Sequence, residues 1–508
     1  DGLNVAKVNE LYEKAGLQDV IYVDRALEGE GTDVVIGNDG VKNSTGFTSV
    51  NDAKSITVKD AKNLVLIGNK ENMDMTGGKA ITAQGEGSKV TLGTLGLAEG
   101  ADYSGTLAQI ILKGGAGLDV VNGTYNVDEL EARESTKSNI NIAKTGKLTG
   151  KGLRLYDGST FVNSGTVEFS GSLQGTLSAR FTNEIGATAT IKGDSTFSGN
   201  FANYGKMTMG DLEMTGSFTN GEGATIDMNT LVLAGDLNNY GNLNALDDSI
   251  LNGTLLNTGV IKLYNTTVEE GRGDVNNTHT IDAKGTITMN GLLSNVDNAD
   301  LEAIVVSGEK ARVYNISGNL TASDKEGTDA TGLIEVSDGG EIYNTGNIVA
   351  DKVVVGAGGY MVNGVMAAEA QTGTLATLGL YRAPRQQATE SLRDLEVNEG
   401  GQKTNAGIGY YAQGTIAGIF TNAQGAQSFG GISSTWPDGQ GLTITSTGQI
   451  QNGGTFTMGG SLDNQGTITG DGELILKREA AAQNIFKNSG TIKVGTLTAD
   501  NITFEHTG

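Results

Sequence analysis

From residue 161 the chain alternates apolar and polar positions in runs of three or four residues. Each run stops at a short polar step that usually contains Gly. "FVNSGTVEF" begins at Phe161, "FTNEIGATATI" at Phe181 and "FANYGKMTM" at Phe201. A period of two is the spacing of a strand with one buried face. An apolar residue sits two positions before Asn163, Asn183, Asn203, Asn220, Asn239, Asn257, Asn277, Asn295, Asn315, Asn344 and Asn363. The pattern returns at Asn422, Asn452, Asn464 and Asn488. The first steps between these Asn residues are 20, 20, 17 and 19 residues. That interval is too short for helical-pair repeats and suits three short strands wound once around a solenoid axis. Successive coils then stack at the strand spacing, ~4.8 Å. The pattern predicts that Phe161, Phe181, Phe201, Phe218, Leu237 and Leu255 point inward and stack on one another. It places the Asn residues at turns, where left-handed backbone angles are tolerated, with their side chains pairing along the axis as a ladder.

Two stretches read differently. In "LNVAKVNELYEKAGL", Val5, Val8 and Tyr12 share a helical face and Gly16 can end the helix. Residues 1–20 are therefore expected to form a capping helix over the open solenoid end. Between Asn363 and Asn422 the interval breaks, and the stretch holds Pro384 and a helix-like "QQATESLRDLEV". Residues 366–406 are expected to leave the solenoid as an excursion with helical character. The remaining spans, 21–365 and 407–508, are assigned to the solenoid itself, so the predicted fold is all-β.

Composition supports many tight turns: Gly is 78 of 508 residues and Pro only 2. Disordered linkers carry Pro together with Gly, so the chain is not of that class. With no Cys, disulfides, thiolate metal sites and a Cys nucleophile are excluded. The net charge of −24 repels nucleic acid and anionic lipid. No apolar run reaches the length of a membrane-spanning helix, so no direct membrane insertion is expected. The sequence opens at Asp1-Gly2 without a signal peptide and ends inside a repeat, and it is read as a processed or trimmed piece.

The repeats "NSGTV" at 163, "NTGVI" at 257, "NTGNI" at 344, "NQGTI" at 464 and "NSGTI" at 488 resemble those of bacterial autotransporter passengers and filamentous-haemagglutinin-type adhesins. The resemblance covers residues 155–363 and 415–500 well, and residues 20–150 only as Gly-punctuated strands. It implies a right-handed parallel β-helix and a location on the bacterial cell surface or outside the cell. The outer-membrane barrel of that family is not in this sequence.

Candidate chemistry is sparse. Only His279 and His506 could serve a Ser-His-Asp triad, and "GDST" at 193 lacks the following Gly-Gly of a Ser-protease motif. Asp247-Asp248 is an adjacent acidic pair, but neighbours in a strand point to opposite faces. "GGAGLDVVN" at 114–122 fits a calcium nonapeptide and "EGEGTDVVI" at 28–36 fits it less well; the motif needs tandem copies, and these stand 86 residues apart. No cofactor or metal is assigned. Arg272, Gly273 and Asp274 form an Arg-Gly-Asp triplet, a candidate receptor-recognition turn. The expected function is that of a non-enzymatic adhesin or structural passenger. Its partners would be a host-cell or glycan receptor, or copies of itself. A polysaccharide-cleaving β-helix enzyme is the first alternative and a polymerising fibre subunit the second.

Overall fold

The computed structural model describes residues 20–23, 32–37, 40–42, 53–66, 73–74, 80–93, 103–133, 137–325, 332–366, 387–432, 441–478 and 485–507. The described residues are strands, turns and connections, with no helix among them. The chain divides into two units, Asp1–Asn244 and Ala245–Gly508, and each is a parallel β-solenoid. One antiparallel hairpin, Thr32–Gly37 with Gly40–Lys42, interrupts the first unit.

A coil of the first unit contains Thr160–Asn163, Thr166–Phe169 and Leu173–Gly175. Each pairs in parallel with its counterpart one coil on, Arg180–Asn183, Thr188–Ile191 and Ser195–Phe197. The three strands thus generate three stacks, called here first, second and third in chain order. Alternate residues point inward, as the period of two requires. The rings of Phe161 and Phe181 stack at 5.1 Å, and those of Phe181 and Phe201 at 5.0 Å. Phe218 then meets Phe201 edge-on at 5.2 Å. All four are buried. Direct parallel register forces these identical side chains over one another and removes their apolar surface from water at every coil.

The Asn ladder is present, but not in turns. In this unit each ladder Asn is the last residue of a first-stack strand and is buried, and none has a positive φ. The side-chain amide of Asn163 donates to Oδ1 of Asn183 at 2.8 Å, and Asn183 donates to Asn203 at 2.8 Å. The same amides also donate to the carbonyls of Thr188 and Lys206, the first residues of second-stack strands. The extended backbone aims the amide inward, where it ties the corner of one coil to the corner of the next. The Gly two residues after the Asn serves close approach. A Cβ on Gly165 would stand 2.3 Å from the carbonyl oxygen of Ala143, and one on Gly205 2.4 Å from that of Ala187.

The second unit repeats the scheme, with the ladder running from Asn257 through Asn277, Asn295, Asn315, Asn344 and Asn363. It departs from the expected organisation in three places. First, "ATESLRDLEV" is not helical: Thr389–Val397 is a strand that turns a corner, pairing with Asn347–Val355. Glu390 and Leu392 face inward before the corner, and Leu395 and Val397 after it. The extra residue at the bend shifts the period of two and imitates a helical spacing. Second, Gln402–Asn405 is also a strand, so the solenoid resumes well before residue 407, and Asn363 donates to Asn405 at 2.8 Å. Third, Asn464 and Asn488 lie in the third stack, where Asn464 sits over Ile444 and donates to Asn488 at 2.6 Å. The motif encodes a strand end before a tight corner, and a solenoid coil has more than one such corner. The expected cap over residues 1–19 and the core of the excursion, 367–386, lie outside the described residues.

Candidate functional site

The residues singled out for chemistry are dispersed. His279 is exposed in a turn, its Nδ1 3.2 Å from the Thr280 hydroxyl. His506 is on the third stack, its Nδ1 3.0 Å from the Asn488 amide. The Asp247-Asp248 pair lies in a corner rather than a strand. Asp247 Oδ1 accepts the Asp248 N–H, and Asp248 Oδ1 accepts from Asn265. In the nonapeptide at 114–122, Asp119 is held by Lys89 at 2.6 Å on one oxygen and by Asn141 at 2.9 Å on the other. Both oxygens that a cation would need are engaged. Among the described residues no cluster of three or more His, Cys, Asp or Glu is placed to hold a metal.

The Arg-Gly-Asp triplet sits at a corner of the second unit. Arg272 is exposed, Gly273 buried and Asp274 half-buried. Asp274 is the first residue of a first-stack strand, and its Oδ1 accepts the Asn276 amide at 2.9 Å. Gly273 donates its N–H to the Glu269 carbonyl at 3.1 Å, and a Cβ there would meet that same oxygen at 2.6 Å. The triplet is pinned to the solenoid wall rather than carried on an extended loop.

Outward residues of the third stack form a groove in each unit. The groove of the second unit has a volume of about 480 Å³ and is lined by Asp394, Glu396, Gln413, Thr415, Thr443 and Asp463, among others. Gly414 and Gly441 line it as well. Glu396, Thr415, Thr443 and Asp463 are one register column. Glu396 and Asp463 are thus three strand spacings apart, ~14 Å, beyond the ~5–9.5 Å that glycoside hydrolysis needs between its two carboxyl groups. Asp394 and Glu396 are closer, two residues apart on one face. Glu396, however, is bound to Lys352 at 2.8 Å. That bond raises the Lys352 pKa and commits a Glu396 oxygen to Lys352 rather than to a substrate.

The groove of the first unit, about 430 Å³, is lined by Arg154, Tyr156, Gln174, Thr176, Leu177, Thr196 and Ser198, with Leu155 and Gly175. Tyr156 is 40 % exposed and Leu177 79 %.

The most perturbed ionisable groups are inside the second unit. Lys403 occupies the inward position that is apolar in the neighbouring coils, between Met361 and Phe420. Its Nζ is 2.7 Å from Glu390 Oε1, and both side chains are fully buried. The Tyr411 hydroxyl donates to the same oxygen at 2.5 Å. Gly409 makes that reach possible, since a Cβ there would lie 2.1 Å from the Tyr411 oxygen. Burial lowers the Lys403 pKa against the pull of Glu390, and burial raises that of Tyr411 well above the usual phenol value. Glu390 Oε2 has no hydrogen-bond partner. No signal in the periodicity marks this cluster, because Lys403 replaces the apolar residue by which the other coils are recognised. The cluster is sealed from solvent and can act only on the fold.

No family model matches the chain, and no curated protein matches it. Among solved structures, the crystal structure of a TibC-catalyzed hyper-glycosylated TibA fragment is similar at 12 % identity. The alignment covers 94 % of this chain and 100 % of that one with a TM-score of 0.19, too low for the comparison to carry any argument. Among the described residues no helix is long and apolar enough to cross a membrane.

Proposed function

We propose that this protein is a bacterial cell-surface or secreted adhesin or structural passenger that works by extended surface contact, self-contact included, and without turnover. One observation carries the reading: in each unit at least one outward column is a row of polar side chains continued over four successive coils. In the first unit one row is Glu168, Thr190, Thr208 and Asp227. In the second unit another is Glu396, Thr415, Thr443 and Asp463. Such rows offer many modest hydrogen-bonding contacts in register, which add without a deep pocket. The repeat's resemblance to autotransporter passengers and filamentous adhesins points the same way.

The net charge of −24 opposes lateral approach, so self-association should strengthen as salt screens it. Light scattering across a salt series tests this, and monomer at every ionic strength and concentration would remove the self-contact element. Adhesion itself is tested by binding of the purified chain to host cells. A carbohydrate-active enzyme stays the second reading because Asp394 and Glu396 share one face of a groove. Release of reducing ends or unsaturated products from a glycan panel, abolished in Glu396→Gln, would promote it.

A further inference from the structure

We propose that the groove of the first unit is a subsite for a neutral saccharide, an inference that rests on the contact reading above and gives it a ligand class. The groove crosses three successive coils. Arg154, Gln174 and Thr196 are register partners along one outward column at the strand spacing. Tyr156, Thr176 and Ser198 follow them at the adjoining corner, with Leu177 at the lip. Its volume of about 430 Å³ falls within the ~300–1,000 Å³ of small-molecule sites.

The polar groups are set rather than merely present. Glu131 is 3 % exposed and accepts from Arg154 Nη1 at 3.3 Å and from Arg133 Nε. This fixes the Arg154 guanidinium with one arm spent on Glu131 and its remaining donors toward solvent, since the side chain is 55 % exposed. The Thr176 hydroxyl donates to Asp157, so its lone pairs are left to accept. The Ser198 hydroxyl accepts from Thr215 at 2.8 Å, so its own proton is left to donate. Gln174 supplies both roles. A sugar hydroxyl needs such alternating donors and acceptors. The exposed ring of Tyr156 and the side chain of Leu177 offer the apolar surface against which a sugar's C–H face packs.

Charge selects the class. Arg133 and Arg154 stand against Glu131 and Asp157, two cations to two carboxylates, while the chain as a whole carries −24. An anionic saccharide finds no net positive field at the groove and is repelled by the rest of the molecule. A neutral one loses nothing to either.

The test is saturation-transfer NMR and titration of the full chain with lactose and cellobiose, and with 3′-sialyllactose as the anionic arm. The expected result is binding of a neutral disaccharide at millimolar concentration, weakened about tenfold in Tyr156→Ala, weakened in Gln174→Ala and retained in Tyr156→Trp. Circular dichroism confirms the fold of each variant. Absence of binding, binding unchanged in both Ala variants, or preference for the sialylated sugar would each overturn the proposal. Cell attachment measured on the same variants separates the two ideas. Attachment without saccharide binding sinks only the groove, and saccharide binding without attachment sinks only the adhesin reading.

Discussion

Truncating one rung of the amide ladder, Asn203→Ala, should cost far more than its small volume suggests. Oδ1 of Asn203 accepts from the Asn183 amide at 2.8 Å and from the Gly205 N–H at 3.3 Å. Its own amide donates to Asn220 Oδ1 at 2.9 Å and to the Thr225 carbonyl at 3.1 Å. Asn183 keeps its bond to the Lys206 carbonyl, but Asn220 Oδ1, the Thr225 carbonyl and the Gly205 N–H each lose a partner. At ~1–3 kcal/mol for each buried group left unpaired, and with partial relaxation, the sum is about 3–6 kcal/mol. A solenoid feels such a loss mainly in the damaged coil and its neighbours. Hydrogen exchange should therefore accelerate across residues 200–228, before the global melt moves in proportion. Thr219→Ala, on the outward side of the next strand, is the control and should cost under about 0.5 kcal/mol. Asn203→Asp adds a sign. A carboxylate cannot donate to Asn220 or Thr225, so the fold favours the protonated acid and raises its pKa. The variant's stability is then fully present below about pH 3.9, the unfolded value, and is lost as pH rises through the folded one. Exchange in Asn203→Ala matching that of Thr219→Ala would refute the reasoning and reduce the ladder to an ornament of the register.

Phe181→Ala removes the middle ring of a stack and should cost about 3–5 kcal/mol in local stability, read by urea unfolding. An unchanged transition would place these rings outside the core. Lys403→Ala leaves Glu390 buried without its cation and should cost about 3–5 kcal/mol, while the paired change Lys403→Met with Glu390→Leu should recover most of it. A double variant as unstable as the single one would count against the ion pair. The same cluster predicts an alkaline optimum in the second unit. The lowered pKa of Lys403 makes the unfolded chain bind a proton that the fold releases, so stability rises with pH up to about 10. The raised pKa of Tyr411 makes the fold keep a proton that the unfolded chain sheds, so stability falls above about pH 10. Tyr411→Phe should reduce the fall, leaving the part that the raised pKa of Tyr343 supplies, and leave the rise unchanged, as measured by melting temperature against pH.

The repeat interval made the solenoid legible, because burial at every coil demands an apolar residue at one spacing. It named the stacked Phe161, Phe181 and Phe201 and the pairing of the Asn side chains. It misplaced those Asn residues in turns because their side-chain bonds run between coils, which a local turn preference does not register. Asn405 was hidden because its coil carries Lys403 inward, acceptable only with Glu390 opposite, and no periodicity ties residues 13 apart across a corner. Thr389–Val397 reads as helical in sequence because a bent strand and a helix can share the same apolar spacing. The grooves were invisible in sequence. They depend on which outward residues from three coils are small, and a list of positions does not say which coils are neighbours until the corners are placed.

The amide ladder also has a direction. Every rung from Asn163 to Asn220 donates toward the higher-numbered neighbour, and the backbone carbonyls it also contacts fix that orientation. Amide dipoles aligned head to tail polarise one another, so the molecule carries a one-way wire of hydrogen bonds whose joints are interchangeable. Excision of one whole coil, residues 184–203, would bring the donor of Asn183 to the acceptor of Asn220 and close the gap in the same sense. Excision of half a coil would set an inward amide over an outward side chain and break the line. Length in this architecture is therefore quantised, and insertions or deletions are tolerated in units of a coil.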